Sequence, residues 1–112
     1  MNVQAFSSAS GKSYIRKFFE TLSPEEKAFG DDILIHLEEE GLEGLNIKRW
    51  EGKVWEIYFP KHNRIFYVTQ NDNDIYLLHA CKKQKNKTEK KDKDLVIKRV
   101  KVLEKQLNKK LL

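Results

Sequence analysis

Ile75-Tyr76-Leu77-Leu78-His79-Ala80-Cys81-Lys82-Lys83-Gln84-Lys85-Asn86-Lys87 is the stretch on which the fold turns. Its first half is a nearly continuous apolar run behind the turn cluster Asn71-Asp72-Asn73-Asp74. Such a run reads as a central strand buried on both faces. Its second half passes, with no breaker, into Lys82, Lys83, Lys85 and Lys87. A buried strand that ends in cations holds them on a rigid scaffold, as binding or chemistry on a polyanion requires. The bland alternative is a strand emerging into a solvated loop that keeps the chain soluble.

Immediately upstream, residues 64–69 (RIFYVT) and Val54–Phe59 (VWEIYF) alternate as strands do, with turns at 60–63 and 71–74. Trp55, Ile57 and Phe59 share one face, with Glu56 and Tyr58 on the other. Arg64, Phe66 and Val68 share one face of their strand, with Ile65 and Tyr67 opposite. An arginine in that position belongs at a sheet edge or on a solvent-open face. Three strands joined by short turns imply an antiparallel meander. Residues 41–52 read as a connection packed down by Leu42, Leu45, Ile47 and Trp50.

Further out, Tyr14/Ile15, Phe18/Phe19 and Leu22 fall at a helical period. Ser23-Pro24-Glu25-Glu26 then announces a second helix through an N-cap, a first-turn proline and a capping box. That helix is expected to bury Phe29, Ile33 and Leu37 and to stop at Gly41. Residues 2–6 (NVQAF) are a short first strand. At the other end Val96, Val100, Leu103, Leu107 and Leu111 form one apolar stripe on a cationic helix, started by Asp92 or Asp94. The expected architecture is α+β: a helical hairpin packed on a small twisted antiparallel sheet, with residues 88–112 a basic C-terminal helical extension of a single domain.

A chain of 112 residues is near the size of one hydrophobic core. Its single cysteine, Cys81, excludes an intrachain disulfide and fits a reducing compartment. The N-terminus has no signal-peptide pattern, and no apolar run reaches the length of a membrane span. A cytoplasmic protein with no membrane partner is the expectation. The net charge of +5 conceals a division, −4 over residues 1–81 and +9 over residues 82–112. A basic third on an acidic body suits a polyanion or an acidic protein partner.

Val54-Trp55-Glu56-Ile57-Tyr58-Phe59, Arg64-Ile65-Phe66-Tyr67, Leu77-Leu78-His79-Ala80-Cys81-Lys82-Lys83 and Lys85-Asn86-Lys87-Thr88, in that order behind two helices, resemble the RelE/ParE toxin superfamily. The match looks most like its HigB-like, phage-derived branch and covers roughly residues 45–90. The resemblance implies the toxin of a toxin–antitoxin pair that cleaves mRNA, usually on the ribosome, and a cognate antitoxin, commonly a helix-turn-helix protein. The chain departs from the branch in carrying Tyr58 where arginine is usual and in having no aromatic beyond Tyr76.

Cleaving RNA by internal transfer needs the 2′-hydroxyl deprotonated, the phosphorane stabilised and the leaving 5′-oxygen protonated. RNA supplies the nucleophile, so neither a protein nucleophile nor a cofactor is expected, and cations around the phosphate stand in for a metal. Arg64 is the first candidate for the phosphate, since its planar fork contacts two oxygens at once. Lys82 and Lys83 alternate, so one of them can join Arg64, with Lys83 favoured. His62, in the turn ahead of Arg64, and His79 are the acid–base candidates, although a histidine among strand leucines is more often a hydrogen-bonded core residue. Lys53, Lys61, Lys85 and Lys87 are candidates for flanking phosphates, and Tyr58 and Tyr67 for base stacking, with packing the alternative for both rings. Glu51 and Glu56 do not read as a carboxylate pair. Cys81 reads as a buried small residue, and His36 with Glu40 lacks the further ligands a metal needs. Two other functions share the fold: a ParE-like gyrase inhibitor, and a degenerate relative that binds RNA or an antitoxin without cleavage.

Overall fold

The computed structural model describes residues 1–83 and 88–112; Lys85 and Lys87 lie outside the described residues. The elements in chain order are β1 (Asn2–Ala5), α1 (Tyr14–Glu20), α2 (Pro24–Glu40), β2 (Ile47–Glu51), β3 (Val54–Phe59), β4 (Asn63–Gln70), β5 (Asp74–Lys82) and α3 (Lys90–Leu107). They build an α+β fold around one sheet in the order β1-β5-β4-β3-β2.

The meander of β3, β4 and β5 is present and antiparallel, and it grows at both edges. β1 pairs parallel to β5, from Asn2 opposite Asp74 to Ala5 opposite Leu77, so the five-stranded sheet is mixed rather than purely antiparallel. The connection expected at 41–52 contains a strand: β2 pairs antiparallel with β3, Ile47 opposite Ile57 and Lys48 opposite Glu56.

Both faces of the sheet are covered. On one, Ile57, Phe59, Ile65, Tyr67, Ile75 and Leu77 meet Ile15 and Phe19 of α1 and Ile33, Leu34 and Leu37 of α2. On the other, Val54, Phe66, Val68, Leu78 and Cys81 meet Val96, Val100 and Leu103 of α3. Each fully buried aliphatic or aromatic side chain contributes roughly 1.5–3 kcal/mol, so α3 closes a second core.

The caps explain where the helices start. Ser23 accepts from the Glu26 amide while Glu26 reaches back to the Ser23 amide, with Pro24 in the first turn. Ser13 caps α1 more simply, its hydroxyl accepting from the Arg16 amide. Two helical expectations need correction. Phe29 is 47% exposed, stacked on Phe59 rather than buried. α3 begins at Lys90 behind Glu89, and Asp92 is committed to the interior instead of capping. Leu111 lies past the helix end; Glu104 accepts from the Leu111 amide at 2.7 Å, and the Leu111 carbonyl accepts from the Lys53 amide at 2.7 Å.

Candidate active site

The side of the sheet that carries α3 is not covered along its whole length. Beyond the helix, Lys48 of β2, Glu56 and Tyr58 of β3, Arg64 of β4 and Lys83 just after β5 surround a cleft of ≈ 230 Å³. The pairing explains the convergence. Lys48 lies opposite Glu56 and Tyr58 opposite Arg64, and residues directly opposite project to the same face. Lys83 reaches that face because the strand persists to Lys82, and its amide still donates to the His62 carbonyl at 2.8 Å.

Glu56 is the centre of the arrangement. It is 1% exposed, and its Oε1 lies 2.5 Å from Lys83 Nζ and 3.9 Å from Arg64 Nε. The Lys83 contact is a close buried ion pair, and Arg64 adds a longer-range charge contact to the same oxygen. Arg64 donates from Nη1 to the Asn63 carbonyl at 2.9 Å, and its guanidinium lies 5.1 Å from the centre of the Tyr58 ring. Lys83 Nζ sits 5.5 Å from the centre of the Phe66 ring. Phe66 is held by the edge of Trp50, whose indole donates to the Thr88 hydroxyl at 3.2 Å.

Of the residues singled out from the sequence, the structure brings Arg64, Lys83 and Tyr58 together. Arg64 lies on the middle strand of the sheet, not an edge strand, with a side chain only 13% exposed at the strand's open end. Lys82 faces the opposite side, where it is paired with Glu26, whose pKa that contact lowers to about 2. Lys61 and His62 are exposed in the β3–β4 turn and line no part of the cleft. Lys53 sits in the β2–β3 turn, at the other end of these strands. Tyr67 is unavailable for stacking: it is buried in the hairpin-side core, and burial pushes its hydroxyl up to about 12.

His79 is likewise withdrawn from acid–base work at the cleft. Arg99 Nη1 donates to the Leu78 carbonyl at 2.8 Å and lies 3.0 Å from His79 Nδ1. A guanidinium can only donate, so Nδ1 accepts and the ring proton sits on Nε2, donated to Asp92 Oδ1 at 2.8 Å. Burial, which outweighs the raising contact with Asp92, moves the ring's pKa below its ordinary value. His79, Cys81 and Asp92 do place potential ligand atoms within 4.8 Å of one another. Both histidine nitrogens are already engaged, however, and burial pushes the Cys81 thiol up to about 12, so the cluster is a structural network.

Two cleft residues escaped the sequence reading. Lys48 lies on a strand read as a connection. Glu56 alternates with Ile57, which makes it look like a solvent-facing residue of a sheet covered on one side only.

A comparison with family models matches residues 17–101 to the phage-derived protein family Gp49-like (DUF891). The chain belongs to this Gp49-like family. It is a family of RelE/HigB-like toxins, so a toxin-like protein with an antitoxin partner is the coarse reading. The match takes in the whole cleft, from Lys48 to Lys83. A comparison with curated proteins finds no match. No helix among the described residues is long and apolar enough to cross a membrane.

Proposed function

We propose that this chain is the toxin of a toxin–antitoxin pair and cleaves mRNA, on the ribosome, by internal transfer of the phosphodiester. The observation that carries the reading is one buried carboxylate, Glu56, ringed by Lys48, Arg64 and Lys83 in a single cleft. Three cations and one carboxylate leave a formal surplus of two positive charges. A phosphodiester carries one negative charge and its phosphorane two, so the cleft complements the transition state better than the substrate.

The residues then take distinct parts. Glu56 Oε1 accepts the proton of the 2′-hydroxyl, whose oxygen attacks phosphorus. Arg64 binds two of the phosphoryl oxygens. The bond from phosphorus to the 5′-oxygen breaks, and an ammonium, that of Lys83 or Lys48, donates the proton the leaving oxygen takes. A 2′,3′-cyclic phosphate and a 5′-hydroxyl end result, with no metal required because fixed cations hold the charge. Tyr58, 37% exposed at the cleft wall, offers its ring to a neighbouring base. The partners of this reading are mRNA, the ribosome and a cognate antitoxin.

A second reading, RNA binding without cleavage, draws on the Lys83–Glu56 contact, which must open before the carboxylate takes a proton. The two separate on one experiment. Expression of wild-type protein should arrest growth and fragment transcripts, and Arg64→Ala should abolish both while the protein stays folded. Growth arrest with intact transcripts removes the nuclease reading.

A further inference from the structure

The outer face of α3 carries two parallel rows. Lys91, Lys98 and Lys105 follow one another at intervals of seven residues, and Leu95 and Val102 do the same beside them. All five side chains are exposed, Leu95 by 37% and Val102 by 43%. Lys101 flanks the rows. Among the described residues, none of these four lysines forms an ion pair, whereas neighbouring Lys93 pairs with Glu51. The opposite face is fixed, with Val96, Val100 and Leu103 fully buried, so the rows stand on a rigid rod.

A seven-residue recurrence is the period at which one helix seats against another. Lys101 stands one turn from both Lys98 and Lys105, so like charges crowd this face and repel one another. A phosphate backbone would relieve that repulsion but has no use for Leu95 and Val102. A helix with an apolar row beside a glutamate or aspartate row matches both. We infer that the outer face of α3 docks an acidic amphipathic helix of a partner protein, Leu95 and Val102 meeting its apolar row and Lys91, Lys98 and Lys105 its carboxylates. The cleft lies outside this contact, so the inference rests on the chain's having a protein partner and not on RNA cleavage.

The test uses the full chain and a fluorescein-labelled synthetic peptide of three heptads, leucine at the a and d positions and glutamate at e and g, titrated by anisotropy. A 20-nucleotide single-stranded RNA with the same label is titrated in parallel. The peptide should bind. The double variants Leu95→Ser/Val102→Ser and Lys98→Glu/Lys105→Glu should each weaken it about tenfold or more, a difference of ~1.4 kcal/mol, with helix content unchanged by circular dichroism. RNA binding should survive the Leu95/Val102 changes and fall in Arg64→Ala. No peptide binding, or peptide binding indifferent to Leu95 and Val102, would overturn the inference. So would RNA, rather than peptide, being the ligand lost with Lys98 and Lys105, which would make the face a phosphate track. Failure of the nuclease reading appears separately, as RNA left uncut by a protein that still binds the peptide.

Discussion

At the scale of the residue, the cleft depends on Glu56 being inside. A carboxylate at 1% exposure is tolerated because Lys83 and Arg64 stand beside it, and Lys83, the nearer partner, still compensates it when Arg64 is removed. Glu56→Gln is therefore expected to lower the cleavage rate by about 10²–10⁴, the usual contribution of a positioned base. Thermal melts alongside the rate assay separate that loss from unfolding. Arg64 was legible in the sequence because a guanidinium on an apolar strand is conspicuous. Alternation says that only one of Lys82 and Lys83 can join it but not which. It is the persistence of β5 to Lys82, where fraying was expected, that sets Lys83 on the cleft side. Glu56 was not legible, because alternation alone cannot tell a solvent face from a second covered face.

His79 supplies a pH prediction of its own. Its folded pKa lies below the unfolded value of about 6.5, so the unfolded chain binds the extra proton. Stability should be full above that value and decline as pH falls through it. Urea melts at pH 7.5 and 5.5 should show wild type weakening at the lower pH. A His79→Leu/Asp92→Leu variant should show a flatter profile in that window. Glu26 titrates outside it, between about 4.5 and about 2. An unchanged wild-type midpoint would mean that folding leaves the His79 pKa at its unfolded value.

At the scale of the element, the capping box of α2, the meander and the apolar stripe of α3 could be read ahead of the structure, because each rests on local chemistry with a fixed spacing. The start of α3 could not, and neither could β2. Leu42, Leu45, Ile47 and Trp50 follow neither a two-residue nor a helical period, and Gly44 and Gly52 bracket the stretch as a loop would. Ile47 and Trp50 face opposite sides, and the pairing shifts register between Arg49 and Glu51, so the strand becomes apparent only beside β3. The hairpin carries a sharper constraint at Gly30 of α2. A Cβ built there would stand 2.7 Å from the Phe19 ring, which is 1% exposed and has nowhere to move. Gly30→Ala should gain about 1 kcal/mol in helix propensity and lose about 1–3 kcal/mol to overpacking. The net expectation is a lower melting midpoint, and Gly30→Ala paired with Phe19→Leu should recover it in a calorimetric scan. A stabilised single variant would show that α1 and α2 can spread apart freely.

For the molecule as a whole, the sheet separates two kinds of work. The hairpin side is a hydrophobic core beneath a helix rich in carboxylates. The other side carries α3, the cleft and most of the positive charge. That division was visible as +9 against −4 along the chain, but its placement on one face depended on α3 folding back over the sheet that ends in Lys83. RNA held by several cations should release counterions, so its binding should fall steeply as salt rises and less steeply in Lys48→Ala. The central claim is tested most directly by the ends of the cut RNA. Purified protein added to translating ribosomes should leave fragments with 2′,3′-cyclic phosphate and 5′-hydroxyl ends, and Arg64→Ala should form them at least ~10²-fold more slowly. Undiminished cleavage by Arg64→Ala, or intact transcripts with wild-type protein, would contradict the account.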